Sequence, residues 1–304
     1  MKWLSDDKLN YLRSVVAEAD FGATKYTFVK ELGRGGMGTV YLADDGELDR
    51  LIAIKVLNTT DVTEDLRNRM VREAQIMARL EHPGIVPVHD VGTLPDGRIY
   101  YAMKFVRGSR LDEYAAQGAS LRDRLRKFQA VCDAVAFAHA HDVIHRDLKP
   151  QNIMIGSFGE VLVLDWGVAK IRDNPREIEG TVIGTRHYMS PEQARGEIDQ
   201  LDERSDIYSL GAVLDFLLKD QPGVSKAAKA ICSKAMAPAK DRRYANASEL
   251  SADVGLLLDA EPVSAYRESA LEKVSRWVRK NRFLVLLVLA YLLMRIVFIF
   301  TSRP

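Results

Sequence analysis

The feature that most constrains this chain's fold is a change of periodicity near Gly108. Before it come short β-rich runs: Tyr26 to Leu32, Thr39 to Ala43, Leu51 to Leu57, Ile85 to Val91 and Arg98 to Phe105. Turn residues such as Pro95-Asp96-Gly97 separate them, as strands require. One helical stretch interrupts the series, with Leu66, Met70, Ala74 and Met77 on one face and His82-Pro83-Gly84 closing it. Beyond Gly108 the apolar spacing turns helical, over Leu121 to His141, Asp206 to Leu218, Ala227 to Ala237 and Ser248 to Leu258. A β-rich half followed by an α-rich half predicts an α+β chain of two lobes.

Composition narrows the class. A share of 47% hydrophobic and 28% charged residues excludes a disordered, collagen-like or wholly membrane-embedded chain. A formal net charge of +1 argues against a dedicated nucleic-acid binder. The two cysteines, Cys132 and Cys232, are too far apart for a metal cluster and too few for a disulfide framework, which points to a reducing compartment.

Residues Gly33-Arg34-Gly35-Gly36-Met37-Gly38 form a G-x-G-x-x-G run. A plain glycine turn or a dinucleotide fingerprint would both fit the run alone. A dinucleotide fingerprint must open a helix, whereas Thr39-Val40-Tyr41-Leu42 reads as a strand. A strand–glycine loop–strand hairpin lets bare backbone N–H groups fold over phosphates. Lys55 then falls in the most apolar strand, where a cation needs a partner, and Glu73 on the following helix is the candidate. Taken singly, a snorkelling lysine and a solvated glutamate are the favoured readings of the two.

The most specific stretch is His145-Arg146-Asp147-Leu148-Lys149-Pro150-Gln151-Asn152, followed by Asp165-Trp166-Gly167 at the end of an apolar run. Phosphoryl transfer needs a carboxylate at the attacking hydroxyl, oxygen ligands for Mg²⁺ and cations on the phosphate. Asp147 can supply the first, Asn152 and Asp165 the second, and Lys149 the third.

With these motifs in this order, the chain resembles the eukaryotic-like (Hanks-type) serine/threonine protein kinases over roughly Tyr26 to Val263, and most of all the bacterial type with a C-terminal membrane segment. The resemblance implies a two-lobed protein-kinase-like fold, with a small β-rich N-lobe (25–106) and a larger helical C-lobe (107–263). It implies ATP with Mg²⁺, or Mn²⁺ in its place, as cofactors. Gly33, Gly35 and Gly38 would cover the phosphates. Val40, Ala53, Met103 and Phe105 would line the adenine site, with Met103 as gatekeeper and Lys104 to Val106 as hinge. Lys55, paired to Glu73, would hold the α- and β-phosphates. Asp147 would be the catalytic base, Lys149 the γ-phosphate cation, and Asn152 and Asp165 the metal ligands. Thr185 would brace Asp147 and Lys149, Glu192 would pair with Arg243, and Asp206 would hold the catalytic loop. Thr181 is a candidate phosphosite facing Arg146.

Three departures from the family stand out. Trp166 replaces the usual Phe, Ser190 replaces Ala before Pro191-Glu192, and the segment Asp215 to Lys229 is too short for a further substrate-docking helix.

The C-terminus has a different character. From Phe283 to Phe300 only Arg295 is non-apolar, and as a helix this run would be roughly 27 Å long, near the thickness of a bilayer core. Residues 266–282 carry six basic and two acidic side chains, while residues 1–265 carry 35 basic and 40 acidic ones. A mildly acidic catalytic domain is therefore joined to a basic collar beside an apolar tail. The expected organisation is a leader (1–24), a kinase domain (25–263), a juxtamembrane collar (264–282) and a transmembrane helix (283–300) that keeps the domain cytoplasmic. A buried C-terminal helix is the alternative. The partners implied are Ser/Thr-bearing proteins and membrane lipid, with no nucleic acid, and a homodimer for autophosphorylation in trans. Two other functions compete: a pseudokinase scaffold that binds nucleotide without efficient transfer, and a small-molecule kinase of related fold. Lys55, Asp147 and Asp165 weigh against the first, and Arg146 with Lys149 around the base weighs against the second.

Overall fold

The computed structural model describes residues 19–22, 24–35, 38–58, 64–166, 170–171 and 187–301. The first half builds a five-stranded antiparallel sheet in the order β1-β2-β3-β5-β4. Its strands are β1 (Tyr26–Arg34), β2 (Gly38–Asp45), β3 (Arg50–Leu57), β4 (Val88–Thr93) and β5 (Ile99–Lys104). Helix α1 (Glu64–Arg79) packs on the sheet through Met70, Ala74 and Met77, all buried. The register pairs Val40 with Lys55, Ala53 with Met103 and Lys55 with Tyr101. Directly paired residues point to the same face, so these five side chains share one side of the sheet.

The expected strand Ile85 to Val91 begins later, at Val88. Pro87 cannot donate to a ladder, and the residues before it leave the sheet. Ile85 instead bridges Val163 in parallel, and the Val163 amide donates to the Gly84 carbonyl at 2.8 Å. This short stitch ties the N-lobe to the strand that leads into Asp165.

The end of the expected leader belongs to the N-lobe. Ala19 and Phe21 are buried, and the Phe21 ring meets Tyr41 edge-on at 5.7 Å. The earlier part of the expected leader, residues 1–18, lies outside the described residues.

The second half is mainly helical: α2 (Leu111–Ala116), α3 (Leu121–Ala140), α4 (Pro191–Ala194), α5 (Glu203–Leu218), α6 (Lys226–Ala235) and α7 (Ala247–Leu258). Short strands sit among them: β6 (Gly108–Arg110), β7 (Val143–Ile144), β8 (Ile153–Gly156), β9 (Val161–Val163) and β10 (Lys170–Ile171). Helices α3 and α5 form the core through Phe128, Val131 and Val135 against Leu210, Val213 and Leu217, all fully buried. Each such side chain contributes about 1.5–3 kcal/mol of burial. Cys132 and Cys232 are buried and free.

The shortened segment is shorter still than the sequence suggested. Helix α5 continues to Leu218 and α6 begins at Lys226, so only residues 219–225 connect them. Gly211 permits their close approach, since a Cβ there would lie 2.7 Å from that of Ala235.

Two helices follow, α8 (Ala270–Lys280) and α9 (Arg282–Thr301). The transmembrane helix expected at 283–300 falls within α9, where side chains at 296, 297 and 299–301 are not among those described. The stretch Arg282 to Arg295 amounts to about 21 Å of helix, and among the described residues no helix is long and apolar enough to cross a membrane.

Candidate active site

The catalytic loop, residues 145–152, runs from β7 to β8 and is held from below by Asp206. That carboxylate is fully buried at the start of α5 and accepts hydrogen bonds from the amides of His145 (2.7 Å) and Arg146 (2.8 Å). His139 Nε2 lies 2.8 Å from the same carboxylate. Burial pushes the Asp206 carboxyl up, but the bonds and charges of His139 and His145 outweigh it and hold the group below its ordinary value. It stays an ionised acceptor, so His139 donates through Nε2. Among the described residues His139 Nδ1 is buried without a hydrogen-bond partner.

This anchoring lets the loop adopt a costly backbone. Arg146 has φ +67° and Asp165 has φ +60°, left-handed conformations that non-glycine residues rarely hold unless the surroundings impose them. Both residues bracket the site.

His145 is fully buried and orders the loop from within. Its Nε2 lies 3.0 Å from the Leu164 carbonyl, while Nδ1 accepts from the Asp147 amide at 3.3 Å. Trp166, 1% exposed, packs on its ring at 4.5 Å. The larger indole is thus accommodated as a plug against His145, and its Nε1–H reaches the Val163 carbonyl at 3.4 Å.

The polar side chains converge above this support. Lys149 Nζ donates to Asp147 Oδ2 at 2.7 Å. Asn152 Nδ2 donates to the Asp147 carbonyl at 2.8 Å and to its carboxylate at 3.2 Å, so the Asn152 amide oxygen takes no part in these bonds. Lys55 Nζ bridges the two lobes, 2.8 Å from Glu73 Oε1 and 2.9 Å from Asp165 Oδ1. Burial alone would lower the Lys55 pKa, but Tyr101, Glu73 and Asp165 together hold it well above the ordinary lysine value. Asp165 has the opposite balance: burial pushes it up, and Lys55 with His145 and Lys149 brings it below the usual range.

On the sheet side, Val40 and Met103 are half-buried and Ala53 is buried beside Lys55. Half-buried Phe105 follows β5 in the connection to the C-lobe. The glycine loop is pinned to β3. The Gly35 amide donates to the Gly38 carbonyl at 2.8 Å, and Asn58 Nδ2 donates to the Gly35 carbonyl at 2.9 Å. At Gly38 a Cβ would sit 2.6 Å from the Val56 carbonyl oxygen, so no other residue fits. Gly33 lies in β1, after a register shift between Glu31 and Gly33. Gly36, Met37, Gly167, Thr181 and Thr185 lie outside the described residues.

Three contributors escaped the sequence reading. Tyr101, buried on β5, donates its hydroxyl to Glu73 Oε1 at 2.7 Å, the same oxygen that Lys55 holds. Gln193 donates from Nε2 to the Arg146 carbonyl at 2.7 Å. Ser190 makes this possible, because it caps α4 in a reciprocal box with Gln193. The S-x-x-Q spacing at 190–193 carried that signal, whereas nothing local marked Tyr101. Glu192 and Arg243 form the expected pair, bidentate at 2.7 and 2.9 Å and buried on both sides.

The site therefore offers an oxygen donor pair (Asn152, Asp165), two cations (Lys55, Lys149) and a carboxylate (Asp147), held in two hydrogen-bonded sets, Lys149–Asp147–Asn152 and Glu73–Lys55–Asp165. Among the described residues no group of three or more His, Cys, Asp or Glu could hold a metal ion alone. A Mg²⁺ that keeps water and phosphate oxygens in its shell needs only one or two protein ligands, and Asn152 and Asp165 fit that requirement.

The same span of the chain is similar to known proteins. The protein kinase domain family matches residues 26–265. The chain is 43% identical over 204 residues to the probable serine/threonine-protein kinase PknB of Lactococcus lactis, covering 66% of this chain and 32% of that protein. It is 38% identical over 278 residues to PknB of Mycobacterium tuberculosis, covering 79% and 44%. It is 34% identical over 275 residues to PrkC of Bacillus subtilis, covering 80% and 42%. The chain thus spans less than half the length of these curated relatives. The crystal structure of the Mycobacterium tuberculosis PknI kinase domain superposes with a TM-score of 0.61 at 26% identity, covering 78% of this chain and 99% of that one. Fold, site and family match coincide over the same residues, and the chain belongs to the protein kinase domain family.

Proposed function

We propose that this chain is an ATP- and Mg²⁺-dependent serine/threonine protein kinase tethered to the cytoplasmic face of a membrane. The observation that carries the catalytic part is the joining of the two lobes through Lys55, which touches both Glu73 and Asp165. Bound ATP supplies the transferable phosphoryl group, and Mg²⁺ on its oxygens disperses the negative charge. Asn152 and Asp165 would hold the metal. Asp147 orients the substrate hydroxyl and takes its proton. Lys149, already 2.7 Å from Asp147, places a positive charge where the phosphoryl oxygens gather charge. Lys55, kept protonated by Glu73, binds the phosphates further back. Gly33, Gly35 and Gly38 bring backbone amides close to the same group.

The shortened connection between α5 and α6 is the one feature on the side of the scaffold alternative, and the presence of Lys55, Asp147 and Asp165, which degenerate kinases usually lose, weighs against it. Labelled ATP and Mg²⁺ test the reading: wild type should label itself on Ser or Thr, and Asp165→Ala should not. ATP binding without label in the wild type would return the scaffold, and label found only on an added metabolite would return the small-molecule kinase.

The tether rests on α9, where Phe283, Leu286, Leu287 and Leu293 are each at least 60% exposed. A helix apolar on every side is at home in lipid or in a protein core. The basic collar before it favours the cytoplasmic side. Full-length chain should stay in the membrane pellet after alkaline carbonate extraction, and release into the supernatant would remove the tether from this proposal.

A further inference from the structure

Helix α8 is turned the wrong way round for a protein surrounded by water. Its apolar side chains gather on one face, yet that face points outward: Leu271 is 83% exposed, Val274 60%, Trp277 54% and Val278 38%. The opposite face makes polar contacts, mostly with the preceding segment 261–268 and once with Lys226 of α6. Arg276 pairs with Glu268 at 3.1 Å and with Glu261 at 3.4 Å. Glu272 accepts from the Tyr266 hydroxyl at 3.0 Å and meets Lys226 at 3.4 Å. Lys280 also pairs with Glu261. Ser269 caps the helix in a reciprocal box with Glu272, so the helix start is fixed independently of any partner.

An apolar stripe containing a Trp, flanked by basic residues, is the pattern of a helix lying in the plane of a lipid–water boundary. Two further observations select lipid over a second protein. The apolar face leads without a break in the chain into α9, which begins at Arg282 immediately after the Asn281 cap. The segment 266–282 also holds six basic against two acidic residues, which suits anionic headgroups. Resting on the membrane-tether reading above, we infer that α8 lies flat in the headgroup layer of an anionic bilayer. Leu271, Val274, Trp277 and Val278 sit in the lipid, and the inner face keeps its ion pairs to segment 261–268 and to Lys226 of α6.

The test uses the full-length chain reconstituted in phosphatidylcholine–phosphatidylserine vesicles. Nitroxide labels are placed one at a time at Val274→Cys, Val278→Cys and, as an exposed control in the N-lobe, Leu48→Cys. The native thiols Cys132 and Cys232 are buried and should not compete for the reagent. Relaxation by oxygen, which concentrates in lipid, is compared with relaxation by a water-soluble nickel chelate. Oxygen should dominate at 274 and 278, and the chelate at 48. Chelate access at 274 and 278, in chain that floats with the vesicles, would overturn the inference and leave the tether standing. Protection from both reagents would mean that a second copy covers the face, and would also overturn it. Failure of the chain to float would overturn the tether and the inference together.

Discussion

Two buried ion pairs among the described residues, Glu192–Arg243 and Lys55–Glu73, look alike on paper and do different work. Glu192–Arg243 in the C-lobe is bidentate, with side chains 2% and 0% exposed. It is also saturated: Ser205 donates to Glu192, and Arg243 donates to the carbonyls of Arg204, Ala237 and Pro238. Lys55–Glu73 in the N-lobe is a single contact, and its lysine also reaches Asp165, whose side chain is 46% exposed. A closed network with no spare valence is a structural brace. An open one that shares its charge with the cleft is a working part. Charges that are buried and fully paired are costly to break, whereas a pair that borders solvent can redistribute protons and partners.

The comparison breaks most sharply at Arg243. Arg243→Ala strands Glu192 in a buried site and should destabilise the C-lobe by on the order of 3–5 kcal/mol. Thermal and urea unfolding would show it, and an unchanged melting temperature would demote the pair to decoration. Lys55→Met is the matching cut in the N-lobe. It should lower phosphotransfer by about 10²–10³ while costing less stability than Arg243→Ala, because burial already pushes the Glu73 carboxyl up and it can take a proton. Equal losses of stability in the two variants would erase the distinction.

Acid distinguishes the pairs more gently. Burial pushes Glu192 upward, but the Arg243 guanidinium, its own backbone bonds and Ser205 bring its pKa down to about 2 from 4.5. A carboxylate lowered on folding contributes stability above its unfolded pKa and loses it as pH falls through the folded one. The contribution, about 3 kcal/mol, should be complete above pH ~5 and fade toward pH ~2. Glu192→Gln should flatten that part of the stability–pH curve, and a variant with the wild-type slope would contradict the assignment. The smallest effect belongs to Tyr101→Phe. It removes one hydrogen bond to Glu73 and should slow phosphotransfer by about threefold to tenfold with little change in melting temperature. Unchanged turnover would show that the hydroxyl fills space and no more.

How well each part could be read in advance follows from these same residues. The catalytic loop was legible because its chemistry is packed into eight consecutive residues, His145 to Asn152. Asp165 and the glycine loop were legible for the same reason, each a short motif flanked by strand patterns. Strand β4 was misplaced at its start because Ile85 and Val86 are apolar enough for a sheet strand, and only the path of the chain sends them to Val163. Tyr101 was invisible because a tyrosine in a β-rich run is ordinary. Its role exists only once β5 pairs with β3 and α1 lies across them. Ser190 and Gln193 lay between, since their spacing announces a cap but not the Arg146 carbonyl that the cap delivers.

The sequence by itself determined the kind of fold and the chemical inventory. Periodicity is written into every few residues, and phosphate chemistry demands particular side chains in tight clusters. Tertiary structure alone decided which groups meet across long separations: Lys55 with Asp165, Tyr101 with Glu73, Asp206 with the loop amides, and α8 with its apolar face outward. Those meetings depend on sheet register, helix docking and buried charge seeking a partner, all of them properties of the packed whole that no local window of residues contains.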